Sequence, residues 1–349
     1  MRFAPASAFV DCADLAGSSP RDRADVVRRL AGAAVELLHG TGFAVFRIGR
    51  LRLGVDDSRR IALDLAEQVR RTLIDRGAPG GLRLEVDKPQ TTYVPEGFHT
   101  RTLLPHHDGQ HCSYLTPSLL DVPEWDPGLR EFGTAGYTTT PAHKMYQGIF
   151  LADPGEGLSV TTYYDWLSIL QDVLGERGVK GADDPATVAG WLGDNLRAAV
   201  RGQAEHGCPY PSFGGMLGLV EPMWHGLSFH HSESPLSSRD AERYPAAVPL
   251  ARRCACGTCA GDAARLFCHQ MTMATGRNWA EFRDRWEVLA PGEHCDLLIG
   301  HNLTMIHGGL QGGPGRLLEP LCLVVDDPEG TEYERWLAAA WRRRLPGPL

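Results

Sequence analysis

The sequence predicts a mainly β fold with flanking helices, an α+β protein whose core is a double-stranded β-helix, or jelly roll. Two amphipathic helical patterns near the N-terminus are followed by many short extended segments that turn residues interrupt. The chain of 349 residues contains 40 glycines and 24 prolines, which favours a turn-rich β architecture over a helical bundle. We therefore expect a sheet core with helices packed on its outside.

The N-terminal segment, residues 1–80, is expected to form two helices and one strand that lead into the core. Apolar residues recur at three- and four-residue steps from Pro20 to Gly40, and Ser19 stands at the N-cap position. A second pattern of this kind covers Asp57 to Arg76, and the apolar segment 42–47 between the two is typical of a short strand. This part of the chain therefore predicts helices that cover a sheet.

The whole chain, residues 1–349, is expected to be one domain with its jelly-roll core at 82–325. Two insertions are placed at about 116–141 and 232–275, and a C-terminal tail at 326–349. Long irregular segments of this kind are functional lids or disordered. The remaining strands are predicted at 91–94, 112–115, 145–151, 160–164, 220–229, 295–306 and 317–325, and the remaining helices at 165–174, 187–200, 263–275 and 280–288.

Charge, hydropathy and cysteine content argue against a nucleic-acid-binding, membrane or secreted protein. A net charge of -8 argues against nucleic acid or an anionic membrane as the main partner. The chain contains no run of about 18 apolar residues, and its first residues lack the apolar region of a signal peptide. Its nine cysteines are unevenly spread, with three of them within six residues, which points to reduced thiols or a metal site. We therefore expect a cytoplasmic protein that acts on a small-molecule substrate.

Three segments have the pattern His-x-Asp or His-x-Glu, in which residues i and i+2 of a strand project to one face. His231-x-Glu233 lies in a loop rich in serine, and His294-x-Asp296 directly precedes the apolar run that is expected to carry a further ligand. His106-x-Asp108 follows an apolar segment and ends in Asp-Gly, which is typical of a turn where a strand meets a cleft. We therefore predict that His106 and Asp108 bind a metal ion.

A third ligand is expected on the apolar segment near the C-terminus, where two histidines compete. His307 precedes Gly308-Gly309, where the backbone can open towards a ligand. His301 lies inside the apolar run, where it could instead be a hydrogen-bonded core histidine, so His307 is favoured as the ligand. Two imidazoles and one carboxylate on a single face form the facial triad of non-haem Fe(II) oxygenases. We therefore predict Fe(II) bound by His106, Asp108 and His307.

The C-terminal segment resembles a known family. Asp296–Gly308 resembles the "GDLLIWDN…HG" segment of the taurine dioxygenase and clavaminate synthase-like Fe(II)/2-oxoglutarate oxygenases. Gly157–Asp165 is similar to the family's "GGDTLFAD" segment, and the helix followed by 42–47 resembles its N-terminus. Gly300-His301 stands in place of the family's Trp-Asp, and Cys295 replaces a glycine. Neither position is a ligand in that family.

The resemblance implies a cofactor set and two further site residues. The cofactors would be Fe(II), 2-oxoglutarate and O2, with 2-oxoglutarate converted to succinate and CO2 as the substrate is oxidised. Thr161 matches the threonine that contacts 2-oxoglutarate, with Thr162 as the alternative. Arg316 matches the arginine that pairs with the far carboxylate, which a planar guanidinium can bind through two hydrogen bonds.

The retained carboxylate bears on the type of reaction. Halogenases of this superfamily have glycine or alanine at the position that Asp108 occupies here, so the resemblance implies hydroxylation, desaturation or ring closure. The high arginine, alanine, glycine and proline content suits a GC-rich bacterial genome, and by analogy specialised metabolism of small molecules. Pro222–His231 resembles a stretch that borders the family's active site, so Trp224 and His225 are predicted substrate contacts.

A cysteine cluster suggests a second metal site. Three thiols within six residues, with a fourth some nine residues on, suit a tetrahedral structural Zn2+. The residues are Cys254, Cys256, Cys259 and Cys268. Two alternative functions follow: a zinc hydrolase or deaminase with its chemistry at this cluster, or a non-catalytic metal-binding jelly-roll module. Against a base deaminase, the pattern His-x-Glu followed by Pro-Cys-x-x-Cys is absent from the sequence.

Overall fold

The computed structural model describes two mostly antiparallel sheets with helices beside them, a mixed α+β architecture. The described residues are 2–91, 102–106, 142–156, 159–176, 178–181, 279–302, 304–311 and 315–326. No helix among them is long and apolar enough to cross a membrane. The predictions at 112–141, 187–275 and 327–349 lie outside the described residues.

The described helices are α1 (Pro20–Gly40), α2 (Val55–Asp75), α3 (Trp166–Glu176) and α4 (Trp279–Trp286). The described strands are β1 (Arg2–Phe3), β2 (Phe9–Asp11), β3 (Phe43–Arg47), β4 (Arg83–Val86), β5 (Gln90–Thr91), β6 (Thr102–His106), β7 (Ala142–Asp153), β8 (Ser159–Asp165), β9 (Glu287–Pro291), β10 (Asp296–His301), β11 (Met305–Gln311) and β12 (Leu317–Asp326).

The strands divide into a small and a large sheet. The small sheet has the order β1-β9-β8-β11-β6, and the large sheet has the order β2-β3-β10-β7-β12-β4, with β5 also paired to β12. Only β1 with β9 and β2 with β3 run parallel among the described pairs. The chain crosses from one sheet to the other several times, so residues far apart in sequence meet between the sheets.

Helix α1 confirms the prediction of its start and end. Ser19 has extended backbone angles, and its hydroxyl oxygen accepts a hydrogen bond from the Asp22 N–H at 3.3 Å. Pro20 occupies the first turn, where its missing N–H costs no hydrogen bond. After the last turn Gly42 has φ 85°, which favours glycine, and the chain enters β3.

Helix α2 is held against the large sheet by an ion pair between a partly exposed arginine and a buried glutamate. The Arg59 guanidinium donates two hydrogen bonds to the carboxylate of Glu319 on β12. Glu319 is 3 % exposed, and its desolvation is offset by this bidentate geometry. The pairing holds α2 against the strand that follows Arg316.

The space between the sheets is filled by side chains from both. Phe43 on β3 stacks on Tyr163 on β8, with ring centroids 4.3 Å apart and ring planes 10° from parallel. Val45 on β3 and Val288 on β9 belong to the same buried cluster. Strand β3 therefore lies over β8 and β9, and the inner face of each sheet is defined by these contacts.

The predicted single strand at 295–306 is wrong, because the structure contains two strands there. β10 ends at His301 in the large sheet, and β11 begins at Met305 in the small sheet. Strand β10 and residues 305–308 of β11 are buried, and both segments are mostly apolar, so the hydrophobic pattern gives no sign of the break. The two competing histidines therefore lie in different sheets.

Asn302 explains where this strand breaks. Its backbone N–H donates to the Met145 carbonyl at 3.1 Å, and its side-chain Nδ2 donates to the Lys144 carbonyl at 2.8 Å. The Thr304 N–H then donates to the His301 carbonyl at 3.3 Å, which closes a turn. At the point where the chain leaves the large sheet, a side-chain amide thus makes a hydrogen bond to β7 that a backbone N–H would otherwise make.

The predicted helix at 280–288 is wrong at its end. The helix stops at Trp286, and Glu287 and Val288 belong to β9. Glu287 is 2 % exposed, accepts a hydrogen bond from the Tyr164 hydroxyl at 2.6 Å and pairs with the Arg283 guanidinium. These partners let a glutamate enter a buried strand, which its own helical propensity does not predict.

Candidate functional site

The backbone positions of two predicted metal ligands are direct cross-strand partners. His307 on β11 pairs with His106 on β6, and on its other side with Tyr163 on β8. Tyr163 packs inward against Phe43, and residues directly opposite in a ladder project to the same face. His307 therefore projects into the space between the sheets, where it is 2 % exposed.

A local irregularity accompanies this pairing. The register between β6 and β11 shifts between His307 and Gly309, where Gly309 pairs with Leu103. Three steps along β6 from Leu103 to His106 thus match two steps along β11, as in a β-bulge. Bulges of this kind redirect side chains and are common beside active sites.

The predicted carboxylate ligand, Asp108, lies outside the described residues, and for His106 only the backbone is described. Among the described residues no group of three histidine, cysteine, aspartate or glutamate side chains could hold a metal ion. The facial triad of His106, Asp108 and His307 stays a prediction.

His301 faces away from the space between the sheets. It is fully buried on β10 and makes an edge-to-face contact with Tyr146, its cross-strand partner, with ring centroids 4.8 Å apart. Its neighbour Gly300 is on the inner face, since a Cβ there would come within 3.0 Å of the Tyr163 ring. Successive residues of a strand alternate between faces, so His301 and His307 do not share a site.

In the rival pattern His294-x-Asp296, the aspartate is part of a structural ion pair. Asp296 is fully buried and pairs with the Arg47 guanidinium, while His294 is exposed. Burial raises the pKa of the Asp296 carboxyl to about 6, although hydrogen bonds from the Glu293 N–H and Arg47 oppose the shift. The third pattern, His231-x-Glu233, lies outside the described residues.

Arg316 is a desolvated guanidinium beside the start of β8. It is half-buried, and its Nε donates a hydrogen bond to the Ser159 Oγ at 3.2 Å. Burial lowers its pKa from the usual value to about 10. Among the described residues no carboxylate forms an ion pair with it. A cation in this state is suited to bind an anionic group that comes from outside the chain.

Ser159 is a candidate site residue that sequence reasoning missed. It is 5 % exposed and stands two positions before Thr161 on β8, so both side chains lie on one face. Thr161 pairs with Gly309 and is 9 % exposed, whereas the alternative, Thr162, projects to the opposite face. The signal available in the sequence was the i, i+2 spacing of two hydroxyl residues in a predicted strand.

The remaining predicted site residues lie outside the described residues. They are the predicted substrate contacts Trp224 and His225 and the predicted zinc ligands Cys254, Cys256, Cys259 and Cys268. The described cysteines Cys12, Cys295 and Cys322 are all buried thiols that form no disulfide.

No family model, no curated protein and no solved structure matches the chain.

Proposed function

We propose that the chain is an Fe(II)/2-oxoglutarate-dependent oxygenase that hydroxylates, desaturates or cyclises a small metabolite, with 2-oxoglutarate decarboxylated to succinate and CO2. The observation that carries this proposal is the direct cross-strand pairing of His106 and His307. The two positions are 201 residues apart in the sequence, yet the small sheet sets them side by side. Directly opposed residues share a face, so we expect both imidazoles to project into the space between the sheets.

The strand order supports a jelly-roll core for the proposed enzyme. From β5 to β12 the strands fall in the large, small, large, small, small, large, small and large sheet. Two sheets of four strands result, β9-β8-β11-β6 and β10-β7-β12-β5. An eight-strand double sheet of this kind is what a jelly roll requires.

The donor set fits Fe(II). Two histidines with the carboxylate of Asp108 would supply the facial ligands that non-haem iron takes, with positions left for other ligands. Burial of His307 fits a ligand that has to be neutral and shielded from water. The retained Asp108 favours oxygen insertion or a related oxidation over halogenation.

Arg316 and the hydroxyls on β8 fit the far carboxylate of 2-oxoglutarate. The half-buried guanidinium lies against Ser159, with Thr161 two positions further along the same face. Burial disfavours the charged form of Arg316, and an anion bound here would stabilise that charged form. This group of residues, here called the carboxylate pocket (Ser159, Thr161 and Arg316), would set the orientation of the bound 2-oxo acid.

When bound, the iron and 2-oxoglutarate supply the oxidising chemistry. The residues of the chain would bind the metal and the 2-oxo acid and would shield both from water. His106, Asp108 and His307 would hold the metal, the carboxylate pocket would orient the 2-oxo acid, and the packed side chains between the sheets would exclude water. A cytoplasmic role in bacterial specialised metabolism remains part of the proposal, by analogy of composition alone.

A spectroscopic titration tests the proposal. Full-length protein is loaded with Fe(II) and then with 2-oxoglutarate without oxygen, and a weak visible charge-transfer band is expected. His307→Ala should remove the band, whereas His294→Ala, which changes an exposed histidine of the rival pattern, should leave it unchanged. A band that persists in His307→Ala would exclude this ligand, and wild-type protein without a band or succinate release would exclude the function.

A further inference from the structure

Gln147 is a buried amide among apolar neighbours. It lies on β7 and is 7 % exposed, and the residues that share its face of this strand are Met145, Ile149 and Leu151. Glutamine is rarely buried to this degree unless its amide is hydrogen-bonded. The position therefore requires an explanation.

The register shows that Gln147 faces the space between the sheets. Its direct partner on β10 is Gly300, and cross-strand partners project to the same face. A Cβ on Gly300 would come within 3.0 Å of the Tyr163 ring on the small sheet. The Gln147 side chain consequently points towards the small sheet.

The order of the strands in the two sheets predicts that β7 lies over β11, the strand of His307. Strand β3 lies over β8 and β9 through the contacts of Phe43 and Val288, and Gly300 on β10 lies over Tyr163 on β8. The next strand of the large sheet is β7, and the next of the small sheet is β11. Gln147 is the cross-strand partner of Gly300 in the large sheet, and His307 is the cross-strand partner of Tyr163 in the small sheet. Because Gly300 lies against Tyr163, Gln147 and His307 are expected to lie near each other across the space between the sheets.

The Gln147 amide has no hydrogen-bond partner among the residues that the structure describes, and its oxygen and nitrogen are not completely shielded from solvent. Asn302 shows the usual solution, because its buried amide donates to the Lys144 carbonyl. Gln147 instead presents its amide to the place where the proposed function requires a ligand.

We propose that the Gln147 carboxamide is a ligand-binding group that donates a hydrogen bond to a carboxylate oxygen of a 2-oxo acid bound beside His307. The inference rests on the proposed function and adds a contact to the same site. Arg316 would hold one end of the 2-oxo acid and Gln147 the end nearer the metal, so the two contacts select a molecule with an anionic group at each end.

The test measures binding and stability on the same variants. Gln147→Leu keeps the size of the side chain and removes its hydrogen bonds, and Gln147→Glu adds a negative charge against the carboxylate. Met145→Leu is the matched control, since it changes an apolar residue on the same face of β7. The dissociation constant of 2-oxoglutarate is measured anaerobically on Fe(II)-loaded full-length protein, and the urea midpoint on ligand-free protein.

Gln147→Leu is expected to weaken 2-oxoglutarate binding about tenfold or more, the size of one charge-assisted hydrogen bond. Its urea midpoint should stay equal, because the Gln147 amide has no hydrogen-bond partner to lose among the described residues. Gln147→Glu should bind more weakly still, and Met145→Leu should stay within about twofold of wild type.

Unchanged affinity in Gln147→Leu overturns the inference while leaving the proposed function intact. A urea midpoint that falls further in Gln147→Leu than in Met145→Leu also overturns it, since the amide would then have a structural partner. Wild-type protein that binds no 2-oxoglutarate overturns the proposed function and this contact together.

Discussion

Replacing Arg47 by methionine is expected to remove a large part of the protein's stability. Arg47 is 5 % exposed and Asp296 is fully buried, so the substitution leaves a carboxylate in the core without its counter-ion. Loss of one partner of such a pair costs about 3–5 kcal/mol, against a total free energy of unfolding of about 5–15 kcal/mol for a typical domain. The exposed pair Arg29–Asp14 is the control, and Arg29→Met should cost below about 1 kcal/mol.

The double variant Arg47→Met/Asp296→Leu separates the value of the pair from the cost of an orphaned charge. Replacing both partners by apolar residues of similar size is often neutral for a buried ion pair. We therefore expect the double variant to be more stable than Arg47→Met alone. Urea unfolding followed by circular dichroism at pH 7 measures the free energies of unfolding of the wild type, of Arg47→Met, of Asp296→Leu and of the double variant, which together close the double-mutant cycle.

The same pair predicts a pH dependence. The pKa of Asp296 is raised to about 6 in the folded protein by burial, so the folded state binds its proton more tightly than the unfolded state does. Its contribution to stability is fully present below about pH 4 and is lost, by about 3 kcal/mol in all, as the pH rises through 6. Without Arg47 the pKa should rise further, so Arg47→Met should destabilise less at pH 5 than at pH 8.

Two results would refute this reasoning. One is a cost for Arg47→Met as small as that for Arg29→Met, which would mean that water reaches the Asp296 carboxylate. The other is a double variant no more stable than the single one, which would place the loss in packing and not in charge.

Three further substitutions test other parts of the structure. Gly148→Ala should cost about 3 kcal/mol or more in urea unfolding, because its Cβ would stand 2.0 Å from the Leu321 carbonyl oxygen and force β7 from β12. Hydrogen bonding to Arg70 lowers the pKa of Glu67 to about 2, so its contribution is present above pH 4.5 and lost as the pH falls through 2. In Glu67→Gln the free energy of unfolding should therefore fall less as the pH drops from 4.5 to 2. The difference from wild type should be below about 1 kcal/mol, because this site is partly solvated. Arg316→Lys should weaken 2-oxoglutarate binding about tenfold, since an ammonium cannot replace the bidentate guanidinium, and unchanged affinity would remove Arg316 from the carboxylate pocket.

The sequence predicted the elements whose signals are local. Helix α1 begins at Pro20 and ends at Gly40 as expected, because its N-cap and its apolar spacing are encoded within a single stretch of chain. β3, β7, β8 and β12 lie where their apolar patterns predict them. The choice of His307 over His301 as the metal ligand drew on the glycines that follow His307, and it stays a prediction.

The tertiary structure alone decided what depends on distant partners. The segment predicted as one strand at 295–306 is divided between two sheets, because the Asn302 amide bonds to the Lys144 carbonyl, 158 residues away. Arg47 and Asp296 are 249 residues apart, and no periodic pattern in the sequence predicts that they pair. Ser159 entered the carboxylate pocket only through its contact with Arg316. Local propensity and spacing set which face a side chain takes along its own strand, whereas sheet pairing sets which other side chains it meets there.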